Sequence, residues 1–260
     1  MKIVFLIGGV QVGGGVYVVV QHALHAVAQG HDVTILSMYR FPPEDLAWHP
    51  GFSKLKVGHI SEAQGQRFDI AIATWWKTAL ELPTITADQC AYFVQSIESR
   101  FYGEAEDAMR RLVDRTYELR LPGITEATWI QTHLQQTYGS TYCLAKNGIR
   151  KDLYTADGDC AAPRVAGKLR VLVEGSLGAP KIKNTARAVR TARRGRPFET
   201  WLLTNTKLPW YPGVDRLFTS VPIDQVARIY RSCDVIVKLS FIEGMFGPPL
   251  EMFQIGRAHV

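Results

Sequence analysis

The first 36 residues carry the pattern that most restricts the fold of this chain. Residues 2–7 form a run of β-prone apolar side chains after Lys2, which is typical of a strand buried on both faces of a parallel sheet. A glycine-rich loop follows, then residues 16–29 with apolar positions at helical spacing, then Gly30 and a second strand at residues 32–36. This order predicts a βαβ unit and therefore an α/β fold.

The alternation of strands and helices continues along the chain and is interrupted once. Before the interruption, further strands are predicted at residues 54–57, 68–73, 91–95, 128–131 and 141–144, and the clearest helix at residues 105–119. Residues 155–167 are rich in Gly, Ala, Asp and Pro and predict a linker. The pattern then resumes, with strands at residues 169–174, 200–204, 217–221 and 235–239 and helices at residues 184–194 and 223–231.

This organisation predicts two Rossmann-like domains that face each other across a cleft. The expected limits are residues 1–154 for the first domain, 155–167 for the linker and 168–254 for a partial second domain. Ligands of such sheets bind outside the carboxyl ends of the strands, where residues 8–15, 175–183 and 240–243 are expected to lie.

Composition narrows the class of protein. A chain of 260 residues with 47% hydrophobic content can bury a large core. No apolar run reaches the roughly 18 residues of a membrane span. The four cysteines are far apart and form no C-x-x-C pair, which indicates free thiols in a reducing, cytoplasmic setting: Cys90, Cys143, Cys160 and Cys233.

The net charge of +6 is unevenly distributed. Residues 1–163 contain 14 Lys and Arg against 17 Asp and Glu, whereas residues 164–216 contain 12 against 3. Such a basic block suits an anionic partner, which can be a nucleotide diphosphate, an anionic membrane surface or a nucleic acid. A solvated basic helix face accounts equally well for five of these residues: Arg187, Arg190, Arg193, Arg194 and Arg196.

Two glutamates stand on either side of a Gly- and Pro-rich turn. Glu243 and Glu251 are separated by seven residues, and Pro248 and Pro249 suit the first turn of a helix that follows. This geometry lets two acceptor groups point into one cleft beside helix N–H groups that favour an anion. Carboxylates of this kind can bind the hydroxyls of a sugar or a ribose. The alternative is a capped surface helix with two solvated acids.

Two further segments have the composition of phosphate-binding loops. Gly13, Gly14 and Gly15 open the first helix, where backbone N–H groups can approach a phosphate. Gly175 ends a predicted strand, and Lys183 stands at a helix start as a compact cation for a diphosphate. A nicotinamide dinucleotide site is the rival for the first loop. The dinucleotide site lacks support because the second predicted strand is followed by Ser-Met-Tyr-Arg at residues 37–40, which contain no Asp or Glu to bind a ribose.

The segment from Ser240 to Glu251 resembles the paired-glutamate motif of retaining glycosyltransferases of the GT-B fold, family 4 in particular. That motif usually reads E-G-F-G-L-P-x-x-E, and Glu243, Gly244, Pro248 and Glu251 fall at the expected offsets. The resemblance is nearest to rhamnosyltransferase-like members. It implies that Glu243 contacts the transferred sugar, that Gly244 belongs to the donor loop, and that Glu251 contacts the nucleotide ribose.

The family's second motif is matched in part. It commonly reads G-R-x(n)-K-G, which Gly175 and Lys183 match, whereas Ser176 replaces the arginine and Asn184 the final glycine. Either Lys181 supplies the missing charge, or the chain binds its donor differently. The family also has a Gly-rich loop at the place of Gly13–Gly15, where it contacts donor phosphate and acceptor.

The resemblance also implies where the acceptor binds. Gln95 ends a predicted strand and Glu98 follows it, among aromatic residues, and by resemblance they contact the acceptor. Packing of these aromatic residues in the core is the alternative. The same holds for Trp75 and Trp76, whose rings could stack on a sugar.

The last six residues, 255–260, read as the translation of a sequencing adapter. Their composition breaks the helical pattern that precedes them. We therefore expect the natural sequence to depart from this one near residue 254, which would leave the second domain incomplete.

The sequence thus predicts a cytoplasmic GT-B glycosyltransferase that transfers a sugar from a nucleotide-diphosphate donor to a glycan or lipid-linked acceptor in cell-surface polysaccharide synthesis. An anionic membrane surface, at the inner face of the membrane, is a further candidate partner, and nucleic acid is not expected. No cofactor or metal is expected, because His22 and His25 have no carboxylate or cysteine at ligand spacing. The alternatives are a sugar dehydrogenase or epimerase that uses NAD(P), and a non-catalytic remnant that binds glycan or membrane.

Overall fold

The chain forms two compact α/β units, each built on one parallel sheet. The computed structural model describes residues 1–163, 165–194 and 198–259. The units are Met1–Asn147 and Gly148–Val260.

The first unit contains a seven-stranded sheet in which every pairing is parallel. The strand order is β3-β2-β1-β4-β5-β6-β7, so the order reverses between β1 and β4. A reversal of this kind opens a crevice at the carboxyl edge of a sheet. The strands are β1 (Lys2–Ile7), β2 (Asp32–Ser37), β3 (Lys56–His59), β4 (Phe68–Ala73), β5 (Ala87–Val94), β6 (Gly123–Thr125) and β7 (Tyr142–Leu144).

Helices cover both faces of this sheet, which explains the continuous apolar run of β1. Val4 and Leu6 pack into one core cluster, whereas Ile3, Phe5 and Ile7 pack into another, because successive side chains of a strand point to opposite faces. Each fully buried side chain contributes about 1.5–3 kcal/mol. The helices are α1 (Gly14–Ala28), α2 (Trp76–Glu81), α3 (Asp107–Tyr117) and α4 (Thr128–Tyr138).

The second unit contains a five-stranded parallel sheet in the order β10-β9-β8-β11-β12, which reverses between β8 and β11. Its strands are β8 (Leu169–Glu174), β9 (Phe198–Thr204), β10 (Arg216–Thr219), β11 (Val235–Val237) and β12 (Ala258–His259). Its helices are α5 (Pro180–Lys183), α6 (Thr185–Ala192), α7 (Ile223–Ser232) and α8 (Gly247–Gln254).

The segment before β8 packs on α7 of the second unit. Tyr154 is fully buried and its ring stacks on Tyr230 with centroids 5.9 Å apart. The backbone N–H of Ala161 donates to the carbonyl of Arg228 at 3.1 Å, and Nε of Arg231 donates to the carbonyl of Asp159 at 2.8 Å. Tyr154, which the sequence assigns to the first domain, therefore contributes to the core of the second unit.

The predicted α/β class with two parallel-sheet units is confirmed, and three predicted strands, β1, β4 and β8, have the predicted bounds. The strand predicted at residues 128–131 is wrong, because these residues begin α4. That helix ends at Gly139, whose φ of 67° is the left-handed conformation that glycine favours at a helix end. The actual strand at this place is β6, which has only three residues and carries no apolar run.

The end of the chain packs against the second sheet. Ile255 is buried in the core of the second unit, and β12 pairs with β11.

Val260 lies outside the described residues, as does Arg196 of the predicted basic helix face. Within the described ranges, no helix has the length and apolar character needed to cross a membrane.

Candidate functional site

The carboxyl edge of the second sheet brings together charged residues from four elements. Glu174 is the last residue of β8, and Lys238 follows β11 directly. Since Val173 pairs with Val237 in the parallel register, the next residues, Glu174 and Lys238, emerge side by side at the point where the strand order reverses. The loop after β11 carries Glu243, and Lys183 ends α5.

These four side chains form a row of alternating charge. Nζ of Lys238 lies 2.5 Å from Oε2 of Glu174 and 3.4 Å from Oε1 of Glu243. Nζ of Lys183 donates to Oε2 of Glu243 at 2.8 Å. The side chain of Lys238 is only 4% exposed, whereas that of Lys183 is 29% exposed. Glu243 therefore lies between a buried cation and one that solvent or a ligand can reach.

The two lysines determine the charge of Glu243. Burial by itself raises the pKa of a carboxyl, but the ammonium groups of Lys238 and Lys183 outweigh it and hold the pKa of Glu243 below its usual value. Burial tends to lower the pKa of Lys238, yet Glu174 and Glu243 raise it. Both groups are therefore charged at neutral pH.

Glu251 has a different environment on α8. Burial, and then the charge of Glu174, raise the pKa of Glu251 to about 7, although hydrogen bonds from the hydroxyls of Tyr154 and Tyr230 oppose the shift. Glu251 thus changes charge near neutral pH. Of the two motif glutamates, Glu243 joins the lysine cluster and Glu251 faces the stacked tyrosines.

The loop after β8 is held by contacts that explain its sequence. A Cβ on Gly175 would lie 2.5 Å from Oγ1 of Thr185, so this position requires glycine. Oγ of Ser176 accepts from the backbone N–H of Gly178 at 3.2 Å. Asn184 has a φ of 52°, a left-handed conformation that asparagine tolerates, which accounts for its place where the related motif has glycine. Its Nδ2 donates to the carbonyl of Leu239 at 3.1 Å, linking this loop to the one after β11.

Lys181 and Lys183 differ although they are two residues apart. Lys183 lies against Glu243, whereas Lys181 is exposed and has no ion pair among the described residues. Of the two candidate cations for a diphosphate, the structure joins only Lys183 to the glutamate cluster. Gly244 lies in the same loop as Glu243.

In the first unit, the glycine loop lies beside the residue that follows β5. Gly13 precedes α1, and Gly14 and Gly15 form its first turn. A Cβ on Gly15 would lie 3.4 Å from Oε1 of Gln95. That oxygen is buried and has no hydrogen-bond partner in the described part of the chain. The structure thus places Gln95 at the N-terminus of α1, where its Oε1 is free to accept a hydrogen bond from a ligand.

Glu98 serves a structural purpose in the same unit. Its Oε2 accepts the backbone N–H of Trp76, the first residue of α2, at 2.8 Å. Its own backbone N–H donates to the hydroxyl of Tyr117 at 2.8 Å. Burial raises the pKa of Glu98 to about 8, with the Trp76 N–H opposing. Glu98 is therefore an internal anchor for α2.

Sequence reasoning did not single out two groups of residues. The first group is Lys238 and Glu174. The sequence signal for it is a lysine directly after the apolar run Val-Ile-Val, since lysine is rarely buried without a partner. The second group is Tyr39 and Lys77, which lie beside the predicted residue Trp75 at the carboxyl edge of the first sheet; the rings of Tyr39 and Trp75 are 6.3 Å apart. Nζ of Lys77 is 5.0 Å from the Trp75 ring.

The structure also describes the remaining candidates. Within the described ranges, no group of His, Cys, Asp or Glu side chains is arranged to hold a metal ion. His22 packs edge-on against Phe93, with centroids 5.3 Å apart. Strand β2 ends at Ser37, whose hydroxyl donates to the carbonyl of Tyr39 at 2.7 Å, so no carboxylate stands where a dinucleotide ribose would need one.

Comparison with solved structures defines the fold class. The chain has the GT-B fold of glycosyltransferases. It is similar to sucrose-phosphate synthase from Thermosynechococcus elongatus, with a TM-score of 0.72 and 15% identity over 100% of this chain and 80% of that one.

Two further solved structures agree. WaaG, a glycosyltransferase involved in lipopolysaccharide biosynthesis, gives a TM-score of 0.71 and 10% identity over 99% of this chain and 80% of that one. The catalytic domain of starch synthase IV from Arabidopsis thaliana, bound to ADP and acarbose, gives a TM-score of 0.63 and 12% identity over 99% and 82%. No protein-family model and no curated protein matches the sequence. At these identities the comparisons show the fold.

Proposed function

We propose that this chain is a glycosyltransferase that moves a sugar from a nucleotide-diphosphate donor to a glycan or lipid-linked acceptor. The observation that carries the proposal is the Lys183–Glu243–Lys238 row at the strand-order reversal of a GT-B fold. A cation that ligand can reach, next to a carboxylate kept ionised, suits a site that receives a diphosphate and orients sugar hydroxyls.

In the reaction, the bond between the anomeric carbon and the diphosphate oxygen breaks, and a bond from that carbon to an acceptor hydroxyl oxygen forms. The nucleoside diphosphate leaves with the bonding electrons, and the proton of the acceptor hydroxyl passes to the leaving diphosphate or to solvent. Lys183 would stabilise the negative charge that develops on the leaving diphosphate. Glu243 would accept hydrogen bonds from the sugar ring and Glu251 from the ribose hydroxyls. The loops on either side of the donor would contain Gly175, Ser176 and Gly244.

The finer assignment follows the sequence resemblance. We place the chain with the family 4, rhamnosyltransferase-like enzymes, which retain anomeric configuration and need no metal or other cofactor. The motif supports this through Glu243 and Glu251, and Asn184 supports it because it has a left-handed φ of 52°, a conformation that the glycine usual at this place also adopts without strain. We assign a role in cell-surface polysaccharide synthesis, in the cytoplasm.

The first unit is the proposed acceptor side. Tyr39 and Trp75 offer exposed and half-exposed ring faces on which sugars can stack. Gln95 offers a buried, unpartnered amide oxygen beside Gly15 that can accept from a hydroxyl of the acceptor. The backbone N–H groups of Gly13, Gly14 and Gly15 at the α1 N-terminus are the donors proposed for a phosphate.

Calorimetric binding of UDP, GDP and dTDP tests the donor site. We expect one of them to bind, and Lys183→Ala to weaken its binding by about 1–3 kcal/mol, because a charged hydrogen bond is lost. Glu251→Ala should also weaken it. Lys181→Ala is the matched control, since Lys181 is a nearby exposed lysine outside the cluster, and it should change affinity by less than about threefold. Equal losses for the two lysines, or binding of NAD alone, would refute the assignment.

We also propose that the second unit rests on an anionic membrane surface. Arg187 and Arg190 are exposed on α6 and Arg194 is exposed in the turn after it, and no acidic residue in the described part of the chain pairs with them. Arg193 packs on Gly213, which joins the end of α6 to the loop that carries Trp210. Trp210 is 68% exposed, and an exposed tryptophan beside arginines suits a lipid interface.

Co-sedimentation with vesicles tests this surface. The chain should bind phosphatidylcholine vesicles only when they contain phosphatidylglycerol, and Arg187→Glu with Arg190→Glu should abolish binding. Arg67→Glu with Arg111→Glu, in the first unit, makes the same change in net charge and should reduce binding only slightly. Equal effects of the two pairs would mean that net charge, and no particular surface, governs the interaction.

A further inference from the structure

Lys238 is the most deeply buried charged group of the donor cluster, and the related motifs give it no role. It follows β11, its side chain is 4% exposed, and its Nζ also lies 3.4 Å from the backbone carbonyl of Glu174. A buried ammonium is costly unless carboxylates and hydrogen bonds compensate it. Glu174 from β8 and Glu243 from the following loop supply that compensation.

The charges around Glu243 balance only while both lysines stay in place. Lys183 from α5 and Lys238 from the end of β11 face it directly. Glu174 of β8 lies beyond Lys238, and Glu251 of α8 lies close enough to Glu174 for their charges to interact. A donor diphosphate, which we propose binds Lys183, would draw that lysine away from Glu243. Lys238 alone would then face the carboxylate.

We infer that Lys238 is a positioning residue that keeps Glu243 charged and in place when Lys183 turns to the donor diphosphate. The role of Lys238 in keeping Glu243 charged rests on the structure alone, whereas its role during donor binding rests on the proposed function. Glu174 holds Lys238 from the other side, so that the ammonium cannot follow the diphosphate out of the cluster. Glu243 can therefore accept sugar hydroxyls throughout donor binding.

The first test needs no nucleotide. Carboxyl ¹³C NMR follows the titration of Glu243, whose signal is assigned by its loss in Glu243→Gln. In Lys183→Met, which imitates the engaged state, Lys238 should still hold the pKa of Glu243 below that of an ordinary glutamate. In Lys238→Met the pKa should rise above that value, and Lys238→Arg should restore it.

Opposite outcomes would overturn the inference. If the pKa of Glu243 rises above that of an ordinary glutamate in Lys183→Met, or does not change in a folded Lys238→Met, Lys238 has only a packing role. Lys183→Met changes a partly exposed side chain, so this arm remains decisive even if Lys238→Met does not fold.

The second test uses the nucleoside diphosphate that binds most tightly. Calorimetry in two buffers of different ionisation enthalpy measures the protons taken up on binding. We expect Lys238→Met to take up as much as about one proton more than the wild-type chain, because Glu243 then loses its last cation, whereas the ionisation of the diphosphate is common to both. Equal proton uptake in both would refute the role of Lys238 during binding. If no nucleoside diphosphate binds the wild-type chain, the proposed function fails, while the NMR titration still decides whether Lys238 holds Glu243.

Discussion

Glu98 of the first unit and Glu243 of the second are both largely buried carboxyls at the carboxyl edge of a parallel sheet, yet their pKa values move in opposite directions. Burial raises the pKa of Glu98 to about 8, and the N–H of Trp76 opposes this only in part. For Glu243, Lys238 and Lys183 outweigh burial and lower the pKa. The charged groups next to a buried carboxyl, more than its degree of burial, therefore decide its protonation state. Without a cation the carboxyl is neutral and has a structural role, and with cations it carries a charge that a ligand can meet.

The same substitution at the two sites should have very different effects on catalysis. Glu243→Gln removes a charge that the proposed reaction uses, so we expect sugar transfer to slow by at least about 100-fold. Glu98→Gln imitates the protonated form that Glu98 already has at neutral pH, and the rate should change by less than about threefold. Initial rates with the donor that calorimetry identifies would measure both. Similar losses of rate at the two positions would contradict the different roles assigned to Glu243 and Glu98.

Stability should depend on pH through Glu98. Its pKa is raised in the folded state, so its stabilising effect is complete below the pKa of the unfolded chain, near 4.5, and is lost as pH rises through about 8. Between these values we expect the free energy of unfolding to fall by about 2–4 kcal/mol. Urea unfolding at several pH values should show this decline in the wild-type chain and a smaller one in Glu98→Gln, where the raised pKa of Glu251 still contributes.

For Glu243 the direction is the reverse. Because its pKa is lowered, its contribution is present above the unfolded value and is lost only as pH falls through the folded value. Glu243→Gln should therefore leave the alkaline decline unchanged. A decline that disappears in Glu243→Gln and persists undiminished in Glu98→Gln would reverse our assignment of the two groups.

The smallest effect concerns Glu251, whose pKa of about 7 is intermediate. If its carboxylate accepts ribose hydroxyls, affinity for a nucleotide sugar should rise as pH increases from 6 to 8, by up to about tenfold. A nucleotide sugar is preferable to a free diphosphate, whose terminal phosphate also titrates near pH 6. Calorimetry at both pH values measures the change, which Glu251→Gln should remove. An equal pH dependence in that variant would mean that another group is responsible.

The sequence predicted much of the fold because parallel strands buried on both faces read as continuous apolar runs. Residues 3–7 in β1, 70–73 in β4 and 171–173 in β8 are such runs. It failed at residues 128–131, where β-prone Thr, Trp and Ile lie in α4, since the decisive stop signal is Gly139 at the far end of the helix. The three-residue strand β6 is set by its neighbours β5 and β7 and has no pattern of its own.

The candidate site was predictable where its residues share one segment. Glu243 and Glu251 form a recognisable spacing, and Lys183 stands at a predicted helix start. The pairing of Glu174 with Lys238 was not predictable, because it joins residues that are distant in sequence and become neighbours only through the β8–β11 register. The burial of Glu98 against α2 is equally a product of tertiary packing.

The most direct test of the donor site is to map nucleotide binding onto the two units by backbone amide chemical shifts. Titration with UDP, GDP and dTDP should give, for one of them, saturable changes that are largest at Gly175, Lys183 and Gly244. That result would place the donor on the carboxyl edge of the second sheet. Changes confined to the first unit, or no saturable change with any of the three nucleotides in a folded chain, would contradict the account.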